Sequence, residues 1–207
     1  MFTQSQLRTL PQALCTMLFS ITAALALPAT RANAAGIIFV VNGSDGTIGE
    51  YTDSGATVAT ALISGLNSPQ GLALSGSDLY VTNGSVGTVG AYTTSGGTTN
   101  AALLSGLSDP STVAVDGGNL YVGYLVSTNN DRVGQYTTAG GTSNASLITG
   151  LNGPFGLTIA DGYLYVANLF PGIVGKYNLD GTPVNASLVS GLDQLGGIAL
   201  FEGNLFV

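Results

Sequence analysis

Few side chains in this 207-residue chain could carry acid–base or nucleophilic chemistry. It has no His, so the commonest general base and the commonest metal ligand are both missing. Ser and Thr are plentiful, yet no imidazole is there to activate their hydroxyls. The single Cys, Cys15, sits in an apolar stretch near the N-terminus. The pairs Asp161-Gly162 and Asp180-Gly181 lack the alternating acidic spacing of a calcium loop and read as turns. Asn42, Asn83 and Asn168 recur in one slot, with Tyr124 close to it in a third copy. Capping a turn asks for one such amide at a time, whereas metal ligation would need several to converge. Binding chemistry is better represented. Gln70, Ser111, Asp131 and Arg132 offer hydrogen bonds, and Phe155 and Phe170 offer stacking surface, in segments that vary between otherwise similar stretches.

Those segments acquire a common location once the chain is compared with itself. Ile38-Phe39-Val40, Leu79-Tyr80-Val81, Leu120-Tyr121-Val122, Leu164-Tyr165-Val166 and Leu205-Phe206-Val207 recur at intervals of 41, 41, 44 and 41 residues. A second anchor follows as Ile48-Gly49-Glu50-Tyr51, Val89-Gly90-Ala91-Tyr92, Val133-Gly134-Gln135-Tyr136 and Val174-Gly175-Lys176-Tyr177. A third, Ala61-Leu62-Ile63-Ser64-Gly65-Leu66, returns at 102–107, 146–151 and 187–192, and a fourth, Gly71-Leu72-Ala73-Leu74, at 112–115, 156–159 and 197–200. Each anchor is a short β-branched, aromatic or aliphatic run bounded by turn residues, and no 3.6-residue period runs through any of them. The joining loops are short, so neighbouring strands must be antiparallel. Four antiparallel strands every 40-odd residues is the β-propeller blade. Such a blade leaves one sheet face uncovered and must lean on its neighbours. The Tyr ending each third strand and the Tyr or Phe of each second strand are the expected wedges.

Residues 1–34 have a different character. A start whose only charge is Arg8, an apolar run over 13–27, Pro28 and the small tripeptide Ala32-Asn33-Ala34 follow the layout of a secretory signal peptide. Cleavage is expected after Ala34, and the apolar run is too short for a comfortable membrane span of about 20 residues. The mature chain would hold no Cys and 11 acidic residues against two basic ones, Arg132 and Lys176, a net charge near −9. That surface repels nucleic acid and anionic membranes.

The unit from Pro69-Gln70-Gly71-Leu72-Ala73-Leu74 through Leu79-Tyr80-Val81-Thr82-Asn83 to Thr88-Val89-Gly90-Ala91-Tyr92 resembles the NHL repeat, and Tyr80-Val81-Thr82-Asn83 resembles the YVTN repeat. The resemblance covers residues 37–207. It implies an exported bacterial β-propeller, distantly similar to the gluconolactonases, virginiamycin B lyases and amidating lyases. The two lyase groups use His, which this chain lacks; the gluconolactonase type uses acidic and Asn ligands for a divalent cation, and no such set maps here. No cofactor is therefore expected, calcium being the alternative that the gluconolactonase likeness would bring.

The expected architecture is all-β, with blades at 37–66, 67–107, 108–151 and 152–192 and a partial fifth at 193–207. Stopping on Leu205-Phe206-Val207 is what a truncated six- or seven-bladed ring would do. Strand order puts the loops entering each first strand and those leaving each second strand on one face. The three extra residues of the third interval fall in 124–132, on that same face. A ligand is expected there, beside the channel mouth, near Gln70, Ser111, Asp131, Arg132, Phe155 and Phe170. The function expected is a secreted, periplasmic or cell-surface module that binds a protein or glycan without catalysis. The alternatives are a lactonase-like metal hydrolase and a gene fragment without autonomous function.

Overall fold

The structure is a computed structural model that describes residues 23–26, 36–170 and 172–207. Arg8, Cys15, Pro28 and the cleavage tripeptide lie outside the described residues. Four antiparallel sheets of four strands and one hairpin follow in chain order. The first holds β1 (Ala23–Ala26), β2 (Ile37–Asn42), β3 (Thr47–Thr52) and β4 (Thr57–Ile63). The second holds β5 (Pro69–Ser75), β6 (Asp78–Asn83), β7 (Thr88–Thr93) and β8 (Thr98–Leu104). The third is β9 (Pro110–Asp116), β10 (Asn119–Tyr124), β11 (Asp131–Thr137) and β12 (Thr142–Leu151). The fourth is β13 (Pro154–Ala160), β14 (Tyr163–Asn168), β15 (Ile173–Asn178) and β16 (Pro183–Val189), and β17 (Ala199–Phe201) pairs with β18 (Asn204–Phe206). These are β-propeller blades: four, with part of a fifth. Among the described residues no helix is long and apolar enough to cross a membrane.

Burial falls from the inner strands to the outer one, as the sequence demands. β6, with Leu79-Tyr80-Val81, is buried on both faces, whereas β8, with Thr98-Thr99-Asn100, is largely exposed. Inner strands β5, β9 and β13 lie side by side. The two-residue turns between first and second strands need left-handed backbone; Asp161 and Gly162 have φ 52° and 76°, the geometry of a hairpin turn that follows strand twist.

The first blade reaches beyond its expected start. β1 comes from the apolar run read as part of the export signal, and it covers the inner edge of β2. Its register repeats that of the second blade: Leu25 faces Ile38 as Leu74 faces Leu79, and Ala24 faces Phe39 as Ala73 faces Tyr80. An uncovered β2 would present unpaired N–H and C=O groups, and an apolar segment of strand length satisfies them.

The core is divided among the blade interfaces. One apolar cluster joins Phe39, Val41, Ile48 and Ile63 of the first blade to Leu72, Leu79, Val81 and Tyr92 of the second. The next joins Ala73, Tyr80, Ala91 and Leu104 to Val113, Leu120, Val122 and Tyr136; the third repeats the scheme with Tyr121 and Tyr177. The expected tyrosine wedges are therefore in place, and the Val-Gly-x-Tyr motif has a spatial reason. Each Tyr ring lies back across the Gly two residues earlier. A Cβ on Gly90 would sit 2.6 Å from the Tyr92 ring, and one on Gly134 2.7 Å from that of Tyr136.

A second spatial rule governs the inner strands. Gly71 abuts the next blade so closely that a Cβ would lie 2.7 Å from Thr112 Cα, and Gly71 faces Thr82, whose Oγ1 accepts its N–H at 2.7 Å. In the third blade the residues trade places: Thr112 stands where the others have Gly, and its cross-strand partner is Gly123, with Thr112 Cγ2 only 2.7 Å from a Cβ built there. Gly123→Thr alone is expected to destabilise by about 1–3 kcal/mol through overpacking. Adding Thr112→Gly recreates the second blade's pairing and should recover more than half of that loss. Denaturation midpoints of both single variants and the double variant check this; strictly additive losses would refute the compensation.

Candidate functional site

The loops entering the inner strands and those leaving the second strands do meet on one face, joined by a repeated main-chain bond. Gly84 N–H donates to Ser68 O at 3.1 Å, Leu125 N–H to Asp109 O at 3.2 Å and Leu169 N–H to Gly153 O at 2.8 Å. Two grooves open between blades. The first, about 660 Å³, lies between the second and third blades against Ser68, Gln70, Ser85, Leu107 and Asp109. Gln70 Nε2 donates to Asp109 Oδ1 at 3.3 Å across it. The second, about 480 Å³, runs between the third and fourth blades and takes in Asn129, Asn152, Asn168, Phe170 and Tyr177.

The six sequence candidates are not gathered at one point. Gln70 lines the first groove; Phe170, 58% exposed, lines the second. Phe155 is half-buried, its ring edge near the Cβ position of Gly153. Ser111 is buried and its Oγ lies 3.2 Å from Gly123 O and 2.7 Å from Pro154 O, tying the third blade to the fourth.

Asp131 and Arg132 are sequence neighbours that point apart, as adjacent strand residues do. Asp131 is buried: Oδ1 accepts the N–H groups of Val126 and Ser127 at 2.8 and 3.2 Å, and Oδ2 accepts that of Gly153 at 2.8 Å. It occupies the place of Gly46, Gly87 and Gly172 in the other blades, where a left-handed glycine carbonyl receives Leu66, Leu107 or Leu192 N–H. Asp131 stays paired with Leu151 in the β11–β12 ladder, and its carboxylate adds contacts to the longer 124–132 loop and to the loop entering the fourth blade. Arg132 Nη1 donates to Ser146 Oγ at 3.0 Å, while its Nε is buried without a partner among the described residues.

The recurrent Asn slot separates the blades more sharply. Asn42 Nδ2 donates to Thr47 Oγ1 at 3.2 Å and Asn83 Nδ2 to Thr88 Oγ1 at 3.4 Å, and Asn83 Oδ1 also accepts Asn67 N–H at 3.3 Å. In the third blade Tyr124 fills the slot and its hydroxyl donates to Ala145 O. In the fourth, Ile173 stands where the Thr hydroxyl was. Asn168 is 6% exposed, and its Oδ1 has no hydrogen-bond partner among the described residues. The change from Thr47 and Thr88 to Ile173 was the visible sequence signal for this difference. Among the described residues no group of three or more His, Cys, Asp or Glu could hold a metal ion.

No protein-family model and no curated protein matches the chain. Solved structures do. A chain in a nidogen–laminin complex matches with 22% identity over 82% of this chain and 66% of its own length, at a TM-score of 0.68. Virginiamycin B lyase from Staphylococcus aureus matches with 19% identity over 80% of this chain and 57% of its own, at 0.61. A streptogramin B lyase matches with 20% identity over 90% and 60%, at 0.63. The chain thus spans less than two thirds of the propellers it resembles. At these identities the likeness establishes the fold, and function has to be argued from the site.

Proposed function

We propose that this chain is an exported β-propeller module that binds an extracellular or cell-surface partner without catalysing a reaction, with repeats of the NHL/YVTN type. One observation carries this: two of the polar groups expected on the loop face, Ser111 and Asp131, are spent on the scaffold. Ser111 bonds strand carbonyls of the third and fourth blades and Asp131 bonds N–H groups of two loops, while open grooves lie between the blades. Rigid scaffolds presenting variable loops are what recognition uses. A fold neighbour that takes part in a nidogen–laminin complex supports a binding role. A His-to-Ala variant of virginiamycin B lyase is catalytically inactive, and the 207 residues here, which match over 58% of that lyase's length, contain no His.

Export carries a structural consequence. Cleavage after Ala34 would part β1 from β2, so processed and unprocessed chains would differ at the inner edge of the first blade. Cell fractionation with N-terminal sequencing is expected to find the protein outside the cytoplasm and starting at Ala35. Cytoplasmic protein that keeps Met1 would refute export. Lactone hydrolysis by the purified protein, together with a calcium-dependent rise in melting temperature, would refute the non-catalytic reading.

A further inference from the structure

The groove between the third and fourth blades combines features that the other blade interfaces do not share. Among the described residues, the 14 that line it include no charged side chain, which leaves an ionic ligand without a partner there. Asn168, on its wall, is more than nine-tenths buried, and its side-chain oxygen has no hydrogen-bond partner among the described residues. Buried acceptors of this kind are rare and costly, and a ligand donor that reaches one recovers that cost. Phe170, among the most exposed large apolar residues, offers a ring at the same groove, and the Tyr177 phenol lies on its wall. Asn152 Nδ2 donates to Asn129 Oδ1 at 3.0 Å, adding an amide pair to the lining. The volume, about 480 Å³, falls in the range of small-ligand sites.

We propose that this groove binds a segment of neutral carbohydrate, with Asn168 and Tyr177 hydrogen-bonding hydroxyls and Phe170 stacking on the apolar face of a sugar ring. A hydroxyl both donates and accepts, so one sugar can meet an amide and a phenol together. Sugar rings also carry C–H faces that suit an exposed aromatic. An extended peptide would be recruited chiefly by the open edge of an outer strand. Every blade has such an edge, whereas the unsatisfied amide and the exposed ring belong to this groove. The assignment rests on the binding-module reading and names its ligand class.

The test titrates the purified protein with cellohexaose, maltohexaose and chitohexaose, following side-chain amide NMR signals, with polygalacturonate as the anionic control. At least one neutral oligosaccharide is expected to bind and shift the Asn168 amide, while polygalacturonate does not. Phe170→Ala should weaken binding about tenfold or more, as loss of an anchoring ring does. Asn168→Leu separates ligand binding from folding. It removes an unsatisfied acceptor, so the melting temperature should hold or rise while binding is lost. Asn83→Leu, which removes a satisfied amide, should lower the melting temperature. Absence of binding by all three oligosaccharides at millimolar concentration overturns the proposal. So does binding that survives both groove substitutions, or a groove that takes an unglycosylated peptide instead. In any of these cases, a protein found outside the cytoplasm and inert to lactones still leaves the binding-module reading standing.

Discussion

Replacing Tyr136 with Ala is expected to lower the unfolding free energy by about 3–5 kcal/mol, the usual cost of deleting a buried aromatic side chain. Tyr136 is 3% exposed and wedges between the second and third blades, against Tyr80, Leu104, Val113 and Val122. Its ring already fills the space over Gly134, so truncation opens a cavity bounded by two sheets that cannot approach each other. Tyr51 supplies an internal control. It has the same motif and lies across Gly49 in the same way, but it is only half-buried, and among the described residues no blade packs on its far side. Tyr51→Ala should cost a fraction of the Tyr136→Ala loss. Urea denaturation of both variants measures the difference, and equal losses would remove the wedge explanation.

Stability should also fall steeply once pH passes 10. Tyr80, Tyr92, Tyr121, Tyr136 and Tyr177 have phenols held above the ordinary value of 10.0, with burial the leading cause in each. Tyr124 beside Tyr136 pushes that group in the same direction, whereas hydrogen bonds from Asn83 to Tyr92 and from Gln135 to Tyr121 partly offset burial. The folded chain keeps these protons at a pH where the unfolded chain releases them. Their stabilisation is complete below 10 and is lost as pH climbs toward the folded-state values. Each fully coupled phenol removes about 1.4 kcal/mol per pH unit in that window. A chain whose formal charge is already −7 gains further self-repulsion as tyrosinates form. Tyrosinate absorbance and circular dichroism should therefore change together above pH 10. Titration of all nine tyrosines in a chain that keeps its sheet signal would contradict this.

The blade architecture is legible in the residues themselves because it is local and repeated. Leu79-Tyr80-Val81, the Gly-Ser and Asp-Gly turns and the 41-residue spacing each constrain a few neighbouring residues, and four copies average out the ambiguity of any one. The loop face is legible for the same reason, since antiparallel order fixes which connections share a side. The partners of individual side chains are not. Asp131 looks like a charged loop residue until three N–H groups from two loops are found around it. Thr112 looks like drift from a glycine until Gly123 is seen facing it.

Apart from β1, sequence alone thus determined the strands, their order and the face on which the variable loops emerge, because period, turn chemistry and alternation act over a few residues. Tertiary structure decided which polar groups remain for a ligand. A hydrogen bond between residues 22 or 43 positions apart, such as those of Asp131 and Ser111, depends on how two blades dock, and no local pattern encodes that distance.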